Sequence, residues 1–200
     1  MATVFDLIRH GEPQGGSRYR GHGIDDPLTD NGWRQMWSAV GADRQWDRVV
    51  TSPMARCREF AAALARERDL PVGYEDRLKE VGFGWWEGKR RDEVRALDPD
   101  GYEAFYADPV HSRPAGAEPL EQFCRRVSGA LYELAERHAD EHLLLVTHAG
   151  VVRAAVSHAL QAPLINLYRI RVGSAQMTRL RCDERGLALD FVNGCRPSLD

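Results

Sequence analysis

The stretch Thr3-Val4-Phe5-Asp6-Leu7-Ile8-Arg9-His10-Gly11-Glu12 decides how the rest of the chain is read. Mostly apolar, β-favouring residues run straight into an arginine, a histidine and a glycine, which predicts a strand that delivers two reactive side chains at its carboxyl end. In α/β proteins, ligands bind at that end of the sheet. Gly11 permits a sharp turn and close approach of the backbone to a bound group. Arg9 offers a planar fork of donors matched to phosphate or carboxylate. His10 is a candidate base, metal ligand or nucleophile, with a histidine that merely ends a strand as the plain alternative.

Outward from this strand, 200 residues with 43% hydrophobic content suit one domain, residues 1–200, with a substantial core. The 27 basic residues are dispersed among 30 acidic ones, so no extended basic face for nucleic acid is expected and any cationic site must be local. No apolar run approaches the length of about 20 residues needed to span a bilayer, and the expected location is cytoplasmic. Cys57, Cys124, Cys182 and Cys195 are far apart and lack paired zinc spacing, so they read as thiols, with a disulfide as the lesser alternative.

A long polar connection from Pro13 to Asp30 follows the first strand and carries Arg18, Arg20 and His22, each within potential reach of an anion. Thr29 or Asp30 is placed to cap a helix whose core face is Trp33, Met36, Trp37 and Val40. Arg48–Thr51 reads as a second strand, and Ser52-Pro53 as a capping hydroxyl and first-turn proline opening a helix to about Asp69, which puts Arg56 in the first turn. A helix N-terminus attracts anions through its free amides, and an arginine there strengthens that preference. Leu70–Tyr74 is a further short strand. The Leu78–Gly88 loop mixes acids with glycine and aromatic residues, an environment in which apolar rings favour the protonated form of a carboxyl and so a proton donor. The polar residues 89–119 read as an excursion over one end of the domain, a candidate lid. It carries helical patterns at Asp92–Leu97 and Tyr102–Asp108, separated by a turn at Asp98–Gly101.

Leu120, Phe123, Cys124, Val127, Leu131 and Leu134 trace the apolar stripe of a longer helix. His142–Thr147 is a nearly continuous apolar strand, as expected when helices cover both faces. It ends at His148-Ala149-Gly150 before another helix, so parallel strands would bring His10 and His148 to one sheet edge. Tyr168–Val172, Ala175–Arg181 and Leu187–Val192 read as shorter strands.

Strand and helix ends thus present Arg9, His10, Arg56 and His148, and a loop presents Glu80. On Leu7–Glu12, Thr51–Arg56, Leu78–Glu80 with Phe83-Gly84 and Trp86–Gly88, and Val146–Arg153, the chain resembles the histidine phosphatase, or phosphoglycerate mutase-like, superfamily. Gly21 to Gly32, with Pro27-Leu28-Thr29, is similar to that family's first loop, and the resemblance spans essentially the whole chain. It implies a three-layer α/β/α sandwich with a mostly parallel central sheet and metal-independent hydrolysis of a small phosphomonoester. His10 would become a phosphohistidine, Arg9, Arg56 and His148 would bind phosphoryl oxygens, and Glu80 would protonate the leaving oxygen and then assist water. Arg20 and His22 are further candidate substrate ligands. Guanidinium and imidazole groups can stabilise phosphoryl transfer by positioning and charge, so no metal or other cofactor is required.

Pro13-Gln14-Gly15-Gly16 departs from the run usual in cofactor-dependent mutases, and the region after the acidic loop is compact. Both features favour a phosphatase similar to the α-ribazole and small broad-specificity branches. Mutase-type phosphoryl transfer and a non-catalytic phospholigand-binding module are the alternatives. A metal hydrolase is the weakest, because His10, His22, His111 and His148 lack local ligand spacing. Tyr102, Phe105, Tyr106 and His111 are candidate contacts for the leaving group.

Overall fold

A computed structural model describes residues 2–42 and 46–194. In chain order the elements are β1 (Thr3–Arg9), α1 (Asp30–Val40), β2 (Arg48–Thr51), α2 (Ala55–Arg68), β3 (Val72–Tyr74), α3 (Arg91–Leu97), α4 (Pro99–Ala107), α5 (Leu120–Arg137), β4 (His142–Thr147), α6 (Ala149–Ala159), β5 (Met177–Asp183) and β6 (Gly186–Gly194). The strands form a six-stranded sheet in the order β3-β2-β4-β1-β5-β6. From β3 to β1 the pairings are parallel, and β5 and β6 join antiparallel at the other edge. The expected mostly parallel sandwich is the one observed.

Side-chain alternation along β1 explains the layers. Phe5 and Leu7 enter a core completed by Phe123, Val127 and Leu131 of α5 and by Val151 and Val152 of α6. Ile8 enters the opposite core with Met36 and Val40 of α1 and Phe60 and Leu64 of α2. Each fully buried side chain of this kind contributes about 1.5–3 kcal/mol.

Asp6 is the exception on this strand. Wholly buried, it accepts hydrogen bonds from Trp46 Nε1 (2.8 Å), His142 Nε2 (2.9 Å) and Arg179 Nε (2.8 Å).

The register of β1 on β4 places Arg9 opposite Thr147, and His10 N donates to the Thr147 carbonyl at 2.9 Å. Both histidines therefore leave the sheet together. The chain continues from β1 to α1 on one face and from β4 to α6 on the other, which opens a crevice between neighbouring strands at their carboxyl ends. Gly11 and Gly32 meet back to back there. A Cβ on Gly11 would collide with the Gly32 carbonyl, and one on Gly32 with the Glu12 carbonyl.

Three local expectations are corrected. Helix α2 begins at Ala55, and Ser52 does not cap it: Asp25 Oδ1, reaching from the first loop, accepts Ala55 N at 2.6 Å. Tyr168–Val172 is no strand, because β5 takes the edge of β1 and Leu164–Arg169 closes into a 3-10 turn. Asp98–Gly101 is the start of α4 rather than a separate turn, with the Asp98 carboxylate accepting Gly101 N (2.9 Å) and Pro99 at the first helical position. Thr29 caps α1 as expected, accepting Gly32 N at 2.9 Å. Cys57, Cys124 and Cys182 carry free thiols, and Cys195 lies outside the described residues.

Candidate active site

A cavity of about 460 Å3 opens at the carboxyl ends of β1 and β4 and is lined by Arg9, His10, Arg20, Arg56, Glu80 and Arg153, among others. His10 is 6% exposed, and its Nδ1 lies 2.7 Å from the Gly11 carbonyl. A carbonyl only accepts, so Nδ1 carries the proton and the lone pair resides on Nε2. Burial, reinforced by the charges of Arg56 and Arg9, holds the His10 pKa well below the ordinary 6.5. The ring is therefore neutral at pH 7, as a nucleophile must be.

His148 has no exposed surface. Its ring centroid is 5.3 Å from that of His10, edge towards face, and its Nε2 is 2.8 Å from Ser52 Oγ. Burial and then the charge of Arg56 also depress its pKa well below 6.5. Arg56, only 1% exposed, donates to the carbonyls of Gly21 (2.9 Å) and Ile24 (2.9 Å), and its Nε has no partner among the described residues. Arg9 donates from Nη1 to the Val172 carbonyl at 2.7 Å, and its Nε is likewise unpartnered. Two buried guanidinium edges without acceptors beside a neutral imidazole form a receptor for an anion.

Glu80 is half-buried on the cavity wall. Its Oε1 accepts Val81 N (2.9 Å) and its Oε2 accepts Gly150 N (3.2 Å) in the first turn of α6. A Cβ on Gly150 would meet Oε1, so a larger residue there would push the Glu80 carboxylate aside. Arg20 lines the cavity, but its donors serve the loop: Nε binds Asp26 (2.8 Å) and Nη2 binds the Gly16 carbonyl (2.6 Å). His22 is exposed and is not part of the wall, with its Nδ1 3.0 Å from the Glu80 carbonyl.

Phe105 and Tyr106 of the 89–119 excursion face the cavity, and Tyr106 Oη meets Tyr19 Oη at 2.9 Å. Tyr102 and His111 stand away from it, His111 Nδ1 pairing with Asp108 at 2.8 Å. Sequence reasoning gave no role to Arg153 or Tyr168. Arg153 donates Nε to the Ile170 carbonyl (2.8 Å), and Tyr168 Oη accepts from Arg113 (2.9 Å). The spacing of Ala149, Gly150 and Arg153 is that of one helix face, and this was the readable signal for Arg153. Among the described residues no cluster of histidine, cysteine and carboxylate side chains suited to a metal ion occurs.

A neutral histidine at a parallel strand end, beside guanidinium groups and one carboxyl on a three-layer α/β fold, is an arrangement able to bind a phosphoryl group and present a nucleophilic nitrogen to it. The chain belongs to the histidine phosphatase superfamily (branch 1), whose family model matches residues 5–194. It is 31% identical over 170 residues to the adenosylcobalamin/alpha-ribazole phosphatase of Salmonella typhimurium, covering 83% of this chain and 84% of that one. It is 27% identical to phosphoserine phosphatase 1 of Hydrogenobacter thermophilus, covering 90% and 86% respectively. The crystal structure of the alpha-ribazole phosphatase from Shigella flexneri superposes with a TM-score of 0.85 at 26% identity, covering 98% of this chain and 99% of that one. A mycobacterial glucosyl-3-phosphoglycerate phosphatase complexed with VO3 superposes with a TM-score of 0.84 at 27% identity, covering 96% and 98%. The protein is a phosphatase of this superfamily, a hydrolase of phosphomonoesters.

Proposed function

We propose that His10 carries the phosphoryl group between two displacements. Its Nε2 attacks phosphorus and forms the P–N bond as the ester P–O bond breaks, and the leaving oxygen takes a proton from Glu80. Water then gives a proton back to Glu80 and attacks phosphorus, the P–N bond breaks, and inorganic phosphate leaves. Arg9 and Arg56 bind the phosphoryl oxygens through their unpartnered edges, and His148 donates from beside His10. Arg20 shapes the loop that walls the site, and His22 braces the backbone that carries Glu80. The observation that carries this reading is the His10 Nδ1 contact with the Gly11 carbonyl, which reserves Nε2 for the cavity.

The test is rapid acid-free quenching with a labelled phosphomonoester. The label is expected on His10 at a stoichiometry approaching one, and label on any other residue overturns the assignment.

Glu80→Gln separates the two halves of the reaction. With an alkyl phosphate, whose leaving group needs a proton, turnover is expected to fall by about 10²–10⁴-fold, the usual contribution of a positioned acid. With an aryl phosphate of acidic leaving group, the first step is expected to survive and phosphoenzyme to accumulate. Equal losses in the rate of phosphoenzyme formation for both substrates would remove Glu80 as the proton donor.

The same reading predicts turnover in excess chelator, since guanidinium groups supply the charge stabilisation, and competitive inhibition by vanadate, which adopts the five-coordinate geometry of the transferring phosphorus. A strict requirement for added divalent metal would count against it. The leaving group faces Phe83, Phe105, Tyr106 and Tyr168, a wall suited to a small organic moiety. The free thiols of Cys57, Cys124 and Cys182 support a reducing, cytoplasmic setting.

A further inference from the structure

We propose that Ser52 is a positioning residue that sets the tautomer of His148, so that Nδ1 carries the proton offered to the phosphoryl group; this rests on the role given to His148 above. A neutral imidazole has a single N–H, and only the nitrogen that bears it can donate to a phosphoryl oxygen. Which nitrogen bears it is decided by what the other one meets.

Ser52 and His148 are both wholly buried, and Ser52 Oγ lies 2.8 Å from His148 Nε2. The serine hydroxyl has one proton and accepts through its lone pairs. Met54 N donates to Oγ at 3.3 Å and occupies one of its two lone pairs, so the hydroxyl proton is the group that still needs a partner. Among the described residues nothing other than His148 Nε2 takes the hydroxyl proton. If Nε2 instead carried the imidazole proton, the buried Ser52 proton would have no acceptor among the described residues, which is costly. The relay therefore runs from Met54 N–H to Ser52 Oγ, and from Ser52 O–H to the Nε2 lone pair.

Cys57 is the remaining polar neighbour of the ring. Its Sγ lies 3.6 Å from Nε2 and 3.8 Å from Nδ1, but the thiol also lies 3.4 Å from the Thr147 carbonyl, a better acceptor for its weak donor. That leaves Nδ1–H without an oxygen or nitrogen partner among the described residues. The local fold frees the serine for this use. Asp25 caps α2 in its place, and Ser52 N donates to the Val146 carbonyl (3.0 Å), which fixes Ser52 beside the strand that ends at His148. Burial and the charge of Arg56 keep the His148 ring neutral, so the tautomer question applies at pH 7.

The test uses the full chain labelled with 15N-histidine, with His148 resonances assigned by their loss in His148→Ala. In the unsubstituted protein His148 is expected to show a pyrrole-like Nδ1 and a pyridine-like Nε2. In Ser52→Ala the two shifts are expected to converge or exchange, with turnover down by between about tenfold and about a hundredfold, less than the about 10²–10³-fold typical of deleting a transition-state donor outright. Ser52→Thr, which keeps the hydroxyl, is expected to restore the tautomer. Ser52→Ala is expected to add nothing in a His148→Ala background, an outcome that a merely structural role would not give. A pyrrole-like Nε2 in the unsubstituted protein, or unchanged shifts and turnover in Ser52→Ala beside an impaired His148→Ala, would overturn the inference alone. Full turnover in His148→Ala would overturn the role of His148 and the inference with it.

Discussion

His10→Ala is expected to lose at least about 10⁴-fold in turnover, because a deleted nucleophile removes the covalent route and leaves only binding and electrostatics. The fold is expected to survive. His10 borders an open cavity, and its ring bond goes to the carbonyl of the adjacent residue, so among the described residues the distant contact cut is the ring packing on His148 and no long-range hydrogen bond is lost. Arg9, Arg56 and Glu80 keep their backbone partners, and the variant should still bind vanadate. Initial rates on a panel of phosphomonoesters, together with far-ultraviolet circular dichroism, check both halves of this expectation. Undiminished turnover in a folded His10→Ala protein is the result that would end the phosphohistidine reading for this residue.

Asp6→Ala is expected to cost about 3–5 kcal/mol of stability, the range for breaking a buried charged pair and leaving its partner uncompensated. The carboxylate joins Trp46, His142 of β4 and Arg179 of β5, so two strands and the segment before β2 lose their common acceptor at once. Burial is the largest single influence on its pKa and raises it. The hydrogen bonds from His142, Arg179 and Trp46 together outweigh burial and hold the group at about 2, against an ordinary 3.8. Because the folded value is the lower one, the stabilisation is complete above the ordinary value and is lost as pH falls from about 4 towards 2. The shift corresponds to about 2 kcal/mol. Urea midpoints at neutral pH and through that acidic window measure both effects, with an unchanged m-value excluding a change in compactness. A loss below about 1 kcal/mol at pH 7, the level of an ordinary surface pair, would show that the network is dispensable.

Local signals made the chemistry legible. β1 could be read because its apolar run stops at Arg9-His10-Gly11, and β4 because its run stops at His148-Ala149-Gly150. Each places its histidine by the geometry of one strand end. Ser52 was misread because a serine before a proline looks like a helix cap, while the group that caps α2 is Asp25, brought in by the folded loop. Tyr168–Val172 was misread for a related reason. Its composition favours a strand, but β5 already pairs with β1, and the carbonyls of Ile170 and Val172 are taken by Arg153 and Arg9. Arg20 and His22 could be placed near the site from the first loop, but which of their nitrogens the loop itself consumes is set by contacts across it.

The strand that leads into His10 ends at Arg9, yet both of its neighbours come far later in the chain, β4 from His142 and β5 from Met177. Closing such long loops is slow compared with forming helices or hairpins. Until β5 docks, one side of β1 offers unpaired amides and carbonyls right beside the reactive ring. Assembly of the sheet therefore completes this end of the domain late, and the strand left open to mispairing in the half-built sheet is the one that leads into the residue to which we assign the phosphoryl group.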